Sequence, residues 1–124
     1  MNHETLKQII YDQHVIIRES RIIDRNYFFE ENGNYVLIGL RRAGKTTLLY
    51  KRVKDLIKKG IDWKQIIYIN FDDERLLGFT VKDFEDVLLT AEEITEKKKY
   101  YYFDEIQNID GWEKFAIRLA NAGR

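Results

Sequence analysis

The sequence predicts an α/β fold in which a parallel sheet lies between layers of helices. Three observations carry that prediction. Segments with helical periodicity alternate with short β-branched or aromatic runs along all 124 residues, in the order α, β, α, β, α, β, α. The run Tyr35-Val36-Leu37-Ile38 leads straight into Gly39-Leu40-Arg41-Arg42-Ala43-Gly44-Lys45-Thr46-Thr47, which is G-x-x-x-x-G-K-[ST] between a strand and a helix. The run Tyr100-Tyr101-Tyr102-Phe103 ends in Asp104-Glu105, and successive aromatics suit a strand covered on both faces.

The elements follow in order. Leu6, Ile9, Ile10, Gln13, Ile16 and Ile17 form one helical stripe, so residues 1–20 read as an amphipathic N-terminal element with its helix over 3–18 and its stripe against the core. Ser20 to Asn34 is a polar connection ending in the turn cluster Glu31-Asn32-Gly33-Asn34, and the first strand is expected over 35–39. A helix over 45–59 has Leu48, Leu49, Val53, Leu56 and Ile57 on its apolar face, with Lys58-Lys59-Gly60 as its stop. Gln65-Ile66-Ile67-Tyr68-Ile69-Asn70 reads as the second strand, followed by an Asp72-Asp73-Glu74 loop. A helix over 80–96 starts at Thr80, with Asp83 at capping-box spacing, and turns Phe84, Val87 and Leu88 inward. The third strand is 100–104. Asp110, with Glu113 at the box position, is expected to cap a last helix carrying Trp112, Phe115, Ala116 and Leu119, stopped at Asn121-Ala122-Gly123.

The first motif is a phosphate-binding P-loop, or Walker A. Its glycines let the backbone curl round an anion with no Cβ in the way, and the helix that follows adds the positive end of its dipole. Lys45 can reach the β- and γ-phosphates, and the Thr46 hydroxyl can ligate Mg²⁺. The pair at the end of the aromatic strand is the Walker B pattern. Asp104 is expected to hold Mg²⁺ through water, because Mg²⁺ keeps several waters when bound to protein. Glu105 is expected to orient and polarise an attacking water. A carboxylate directly after the Walker B aspartate indicates hydrolysis rather than phosphoryl transfer to a second substrate. The chain contains no D-x-x-G and no N-K-x-D, which favours adenine over guanine.

Composition removes other classes. Lys+Arg and Asp+Glu are 21 each, so net charge is zero and no basic footprint for nucleic acid is present. With no cysteine there are no disulfides and no thiolate metal sites, which suits a cytoplasmic setting. His3 and His14 are too far apart to argue a metal site and read as exposed helix residues. No apolar stretch approaches the ~18 residues of a membrane span.

The runs Gly-Leu-Arg-Arg-Ala-Gly-Lys-Thr-Thr-Leu-Leu-Tyr at 39–50, Tyr-Ile-Asn-Phe-Asp-Asp at 68–73 and Phe-Asp-Glu-Ile-Gln-Asn-Ile-Asp-Gly-Trp-Glu-Lys-Phe at 103–115 resemble a family of bacterial and archaeal AAA-type ATPases. The resemblance runs from about Arg18 onward, and the stretch after Asp104 is its most specific part. It implies the three-layer α/β/α fold of P-loop NTPases, with ATP and Mg²⁺ as cofactors. It implies Lys45 and Thr46 on phosphate and Mg²⁺, Asp104 on Mg²⁺ and Glu105 on water. Gly39, Gly44 and the amides of Arg42, Ala43, Gly44, Lys45, Thr46 and Thr47 would form the phosphate cradle. The side chains of Arg41 and Arg42 occupy variable loop positions and read as solvated. Asn70, Asp72 and Asp73 match a family feature without an assigned role. Gln107 and Asn108 have two readings, water positioning or ordinary loop hydrogen bonding.

Such ATPases are longer, with a C-terminal domain and, between the P-loop and Walker B strands, a strand that carries a polar sensor. Residues 21–124 therefore read as the N-terminal part of an ATPase domain, truncated before the sensor strand, with no marked arginine finger. The strand edges left open are expected to pair with each other directly or to exchange between chains in a homo-oligomer. Three functions are compatible with these residues. They are an ATP hydrolase coupled to a partner domain, a nucleotide-gated switch with little turnover, and a DNA-associated ATPase, which the neutral charge does not support.

Overall fold

A computed structural model of the chain describes residues 1–20, 35–37 and 45–121, with side chains for 1–20 and 46–121. The elements are α1 (His3–Glu19), β1 (Tyr35–Leu37), α2 (Lys45–Lys58), β2 (Ile66–Asn70), α3 (Phe84–Ile94), β3 (Tyr100–Asp104) and α4 (Trp112–Asn121). Single 3₁₀ turns lie at Trp63–Gln65, Glu74–Leu76, Val81–Asp83 and Ile106–Asn108.

The three strands form one parallel sheet in the order β1-β3-β2. From β1 the chain crosses over the position of β3 to reach β2, then steps back to β3. Crossovers between parallel strands are right-handed, so reversing direction across the sheet puts successive helices on opposite faces. The core divides in that way. On one face Leu49, Val53 and Leu56 of α2 cover Ile66, Tyr68, Tyr100 and Tyr102. On the other, Phe84, Val87, Leu88 and Ala91 of α3 and Phe115 and Leu119 of α4 cover Ile67, Ile69, Tyr101 and Phe103. This is the expected three-layer arrangement. β1 hydrogen-bonds β3 directly, with Leu37 opposite Asp104, so direct pairing is realised and no strand stands between them.

The local signals act as read. Asn2 caps α1, its side-chain oxygen accepting from the amides of Glu4 (2.7 Å) and Thr5 (3.2 Å). Gly60, at φ 102°, ends α2 in a Schellman motif, with Ile61 N–H on Leu56 O and Gly60 N–H on Ile57 O, both 3.1 Å. The Asp83 carboxylate accepts from the Thr80 amide at 2.8 Å. The chain there makes a 3₁₀ turn first, and α3 proper begins at Phe84 and ends at Ile94. Gln65 likewise lies in a turn ahead of β2, where its side chain caps back to the Asp62 amide at 3.1 Å.

Several expectations need correction. Asp110 does not cap the last helix: α4 starts at Trp112, directly after Gly111, whose φ of 85° lets the chain turn there. His14 is not exposed. It is buried on α1, and its Nε2 lies 2.6 Å from the Ile66 carbonyl. The reason is topological: β2 has a strand neighbour on one side only within the described sheet, and α1 packs along it, so a ring nitrogen takes a main-chain acceptor of β2. His14 rather than Ile16 completes the buried stripe, and Ile16 is 52% exposed. Among the described residues no helix is long and apolar enough to cross a membrane.

Candidate functional site

Strand register sets the site. Leu37 and Asn70 both lie opposite Asp104, so the C-terminal ends of β1 and β2 flank the end of β3. Ligands of open α/β sheets bind at that edge. α2 starts there too, at Lys45. Along a strand, alternate residues share a face, and Tyr100, Tyr102 and Asp104 share theirs with Ile66, Tyr68 and Asn70, on the α2 side. Asp104 is therefore turned toward the start of α2.

Two hydroxyls meet its carboxylate. Thr46 Oγ1 donates to Asp104 Oδ2 at 2.8 Å, and Tyr68 Oη donates to the same oxygen at 3.1 Å. Asp104 is 1% exposed and Tyr68 fully buried. Burial, and then the Asp104 charge beside it, push the Tyr68 hydroxyl far above its ordinary value, so it remains a proton donor. Tyr50 of α2 meets Tyr68 edge to face, with ring centroids 5.5 Å apart. Its own hydroxyl accepts from Gln13 Nε2 of α1 at 2.8 Å. Burial, the largest influence, raises the Tyr50 hydroxyl as well.

Glu105 turns the chain out of β3. Its φ of 59° and ψ of 33° are left-handed, a conformation that costs a non-glycine residue ~1–2 kcal/mol. Its carboxylate is buried and accepts from Gln107 Nε2 at 2.7 Å. Asn108 Nδ2 donates to Asp72 Oδ1 at 2.7 Å, tying the turn after β3 to the loop after β2. Asp73 continues that loop as the N-cap of the next turn and pairs with Arg75, which also reaches Asp12 on α1, both at 2.7 Å. Asn108, Asp72 and Asp73 thus have loop-building roles.

Thr46 and Asp104 meet, and Glu105 follows Asp104 at the turn out of β3, where Gln107 donates to its carboxylate. Thr47 lies exposed in the first turn of α2. The main chain of Lys45 opens α2, while its side chain and all of Gly39, Arg42, Ala43 and Gly44 lie outside the described residues, as does Arg124. Arg118 donates to Glu85 across α4 and α3 at 2.9 Å.

The donor set fits Mg²⁺. A hydroxyl and a carboxylate are hard oxygen ligands, and the contact between Thr46 and Asp104 brings them to one point. Among the described residues no cluster of three or more His, Cys, Asp or Glu could form an all-protein cage.

Tyr68 and Gln13 were not read as site residues in the sequence, where Gln13 stood only on the helical stripe of the first helix. The trace of Tyr68 is parity: it stands two residues before the end of its strand, as Tyr102 does before Asp104. The pairing of β2 with β3 is needed to turn that parity into a contact.

Comparison with known proteins agrees. A family model described as an AAA domain matches residues 31–124. An uncharacterized protein of Methanocaldococcus jannaschii is 34% identical over 119 residues, 94% of this chain and 26% of that protein. An uncharacterized protein of Haemophilus influenzae is 31% identical over 106 residues, 85% of this chain and 26% of that protein. The chain thus spans about a quarter of the length of these curated relatives. No solved structure matches. Since the matched region covers residues 31–124 and takes in the whole described sheet, the chain belongs to this AAA-type P-loop ATPase family.

Proposed function

We propose that the chain is an ATP-binding, Mg²⁺-dependent ATPase domain that works on a partner domain of a longer protein. The observation that carries this reading is the 2.8 Å contact between Thr46 of the P-loop helix and Asp104 at the end of β3. Two segments 58 positions apart in sequence meet at the sheet edge with the oxygens that a nucleotide-bound Mg²⁺ takes as ligands.

The cradle amides of 42–47, with Gly39 and Gly44, bind the phosphates, and Lys45 neutralises their charge. Thr46 and Asp104 would hold Mg²⁺, Asp104 through water, and the ion would supply positive charge against the negative charge that develops in the transition state. Glu105 orients a water and accepts its proton, a role worth ~10²–10⁴ in rate. Its left-handed backbone aims the carboxylate off the strand end, and Gln107 fixes one carboxylate oxygen.

The second reading, a nucleotide-gated switch with little turnover, has one observation in its favour. Glu105 is buried and bonded to Gln107, an arrangement from which its carboxylate would have to be released before it met water. Calorimetric titration with MgATP and MgGTP tests the first claim. ATP binds, GTP binds more weakly, and Lys45→Ala abolishes binding; a folded chain that binds neither refutes the reading. Glu105→Gln separates the two functions. It keeps ATP binding and loses hydrolysis if the chain is a hydrolase, and it leaves a slow basal rate unchanged if the chain is a switch.

A further inference from the structure

We propose that Tyr68 is a positioning residue for the cation side of this site. It holds the Asp104 carboxylate so that Thr46 must turn its oxygen lone pairs toward Mg²⁺. The proposal rests on the MgATP reading above.

A threonine hydroxyl has one proton and two lone pairs. Thr46 gives its proton to Asp104 Oδ2, so the lone pairs face away from the carboxylate. That is the orientation in which a hydroxyl can ligate a cation. It depends on where Oδ2 stands, and the terminal torsion of an aspartate is soft. The second donor on Oδ2 removes that freedom. Tyr68 Oη reaches it from the neighbouring strand, at 3.1 Å.

Tyr68 is itself fixed. Its backbone is locked opposite Tyr102 in the β2–β3 ladder. Its ring stacks on that of Tyr102, centroids 6.1 Å apart and 18° between planes, and meets Tyr50 edge to face at 5.5 Å. A buried tyrosine needs only some acceptor, and a main-chain carbonyl would serve. Here the single O–H is spent on the carboxylate that also takes the Thr46 proton. The ordinary alternative, a core tyrosine satisfying its own hydroxyl, predicts a loss of stability on removal and no change specific to Mg²⁺.

The test is ATP binding by the full chain, measured by calorimetry across a Mg²⁺ titration and again in EDTA. Groups behind metal ligands typically change metal affinity ~10–100-fold, so Tyr68→Phe raises the Mg²⁺ midpoint about 10-fold while metal-free ATP binding stays at the wild-type value. Tyr50→Phe removes a neighbouring half-buried hydroxyl that bonds Gln13, keeps the ring against Tyr68, and leaves the midpoint unchanged. Two replacements at position 68 keep the ring's bulk: 4-aminophenylalanine retains a donor and the wild-type midpoint, and 4-methylphenylalanine has none and raises it. Equal midpoints for those two overturn the proposal even if Tyr68→Phe does not fold. A parallel loss of metal-free and Mg²⁺-dependent binding in Tyr68→Phe also overturns it, since that is what a structural role produces. Wild-type protein that binds no nucleotide refutes the function itself; wild type that binds MgATP, with Tyr68→Phe indistinguishable from it, refutes only the positioning role.

Discussion

Thr46→Val isolates one hydroxyl at the centre of the site. Valine has nearly the volume of threonine and the same branching, so the backbone at the start of α2 is little disturbed. What is lost is the proton donated to Asp104 Oδ2 over 2.8 Å. A hydrogen bond to a charged acceptor is worth ~1.5–3 kcal/mol. Thr46 is only partly buried, and Asp104 keeps the Tyr68 donor at 3.1 Å, so the lower end applies. The expected loss of unfolding free energy is therefore ~1–2 kcal/mol in urea titrations without nucleotide. On the proposed reading, in which Thr46 ligates Mg²⁺, the Mg²⁺ midpoint for ATP binding rises by about 10-fold or more in the same variant. Thr46→Ser, which keeps the hydroxyl, moves the midpoint back toward wild type. The pair Thr46→Val and Tyr68→Phe is not additive, because both donors serve one oxygen. The first removal leaves the other donor in place, and the second strips a buried carboxylate of both, so the double variant loses more than the sum. Wild-type stability and an unmoved Mg²⁺ midpoint in Thr46→Val would refute this account of the site.

Two further outcomes concern the frame. Phe115 joins α4 to the core by stacking on Phe84, centroids 4.2 Å apart and 7° between planes, and Phe115→Ala is expected to cost ~3–5 kcal/mol in chemical denaturation. A loss below ~1 kcal/mol would mean that α4 contributes little to the folded state. Burial, partly opposed by the bond to the Ile66 carbonyl, holds the His14 imidazole below its ordinary pKa, so the folded state favours the neutral ring. Its contribution to stability is complete above ~6.5, the unfolded value, and is lost as pH falls below that. His3 works in the opposite sense: Glu93, then Asp86, raise its pKa, and its contribution fades as pH rises. The His14 part is read by subtracting the pH profile of His14→Gln from that of wild type, and a difference that does not shrink below pH ~6.5 would contradict it.

The sequence alone determined the order of strands and helices and several of their ends. Local causes act within a few residues, so Gly60 ends α2, Asp83 serves Thr80 and Asp104 closes β3 without reference to the rest of the chain. The two motifs could be picked out for the same reason, since each is defined by short spacing. Asp110 failed as a cap because a left-handed glycine one residue later took over the turn. Contacts between segments could not be read in this way. His14 looked like a surface histidine until α1 lay along β2 and offered its ring the Ile66 carbonyl. Tyr68 looked like one more apolar strand residue until register set Asn70 opposite Asp104 and brought its hydroxyl to the Asp104 carboxylate. A one-residue slip in that pairing would turn Tyr68 to the other face. Side-chain identity was written in the sequence; which side chains share an oxygen was decided by strand order and register, because those are set by the packing of distant segments and by no residue's own neighbours.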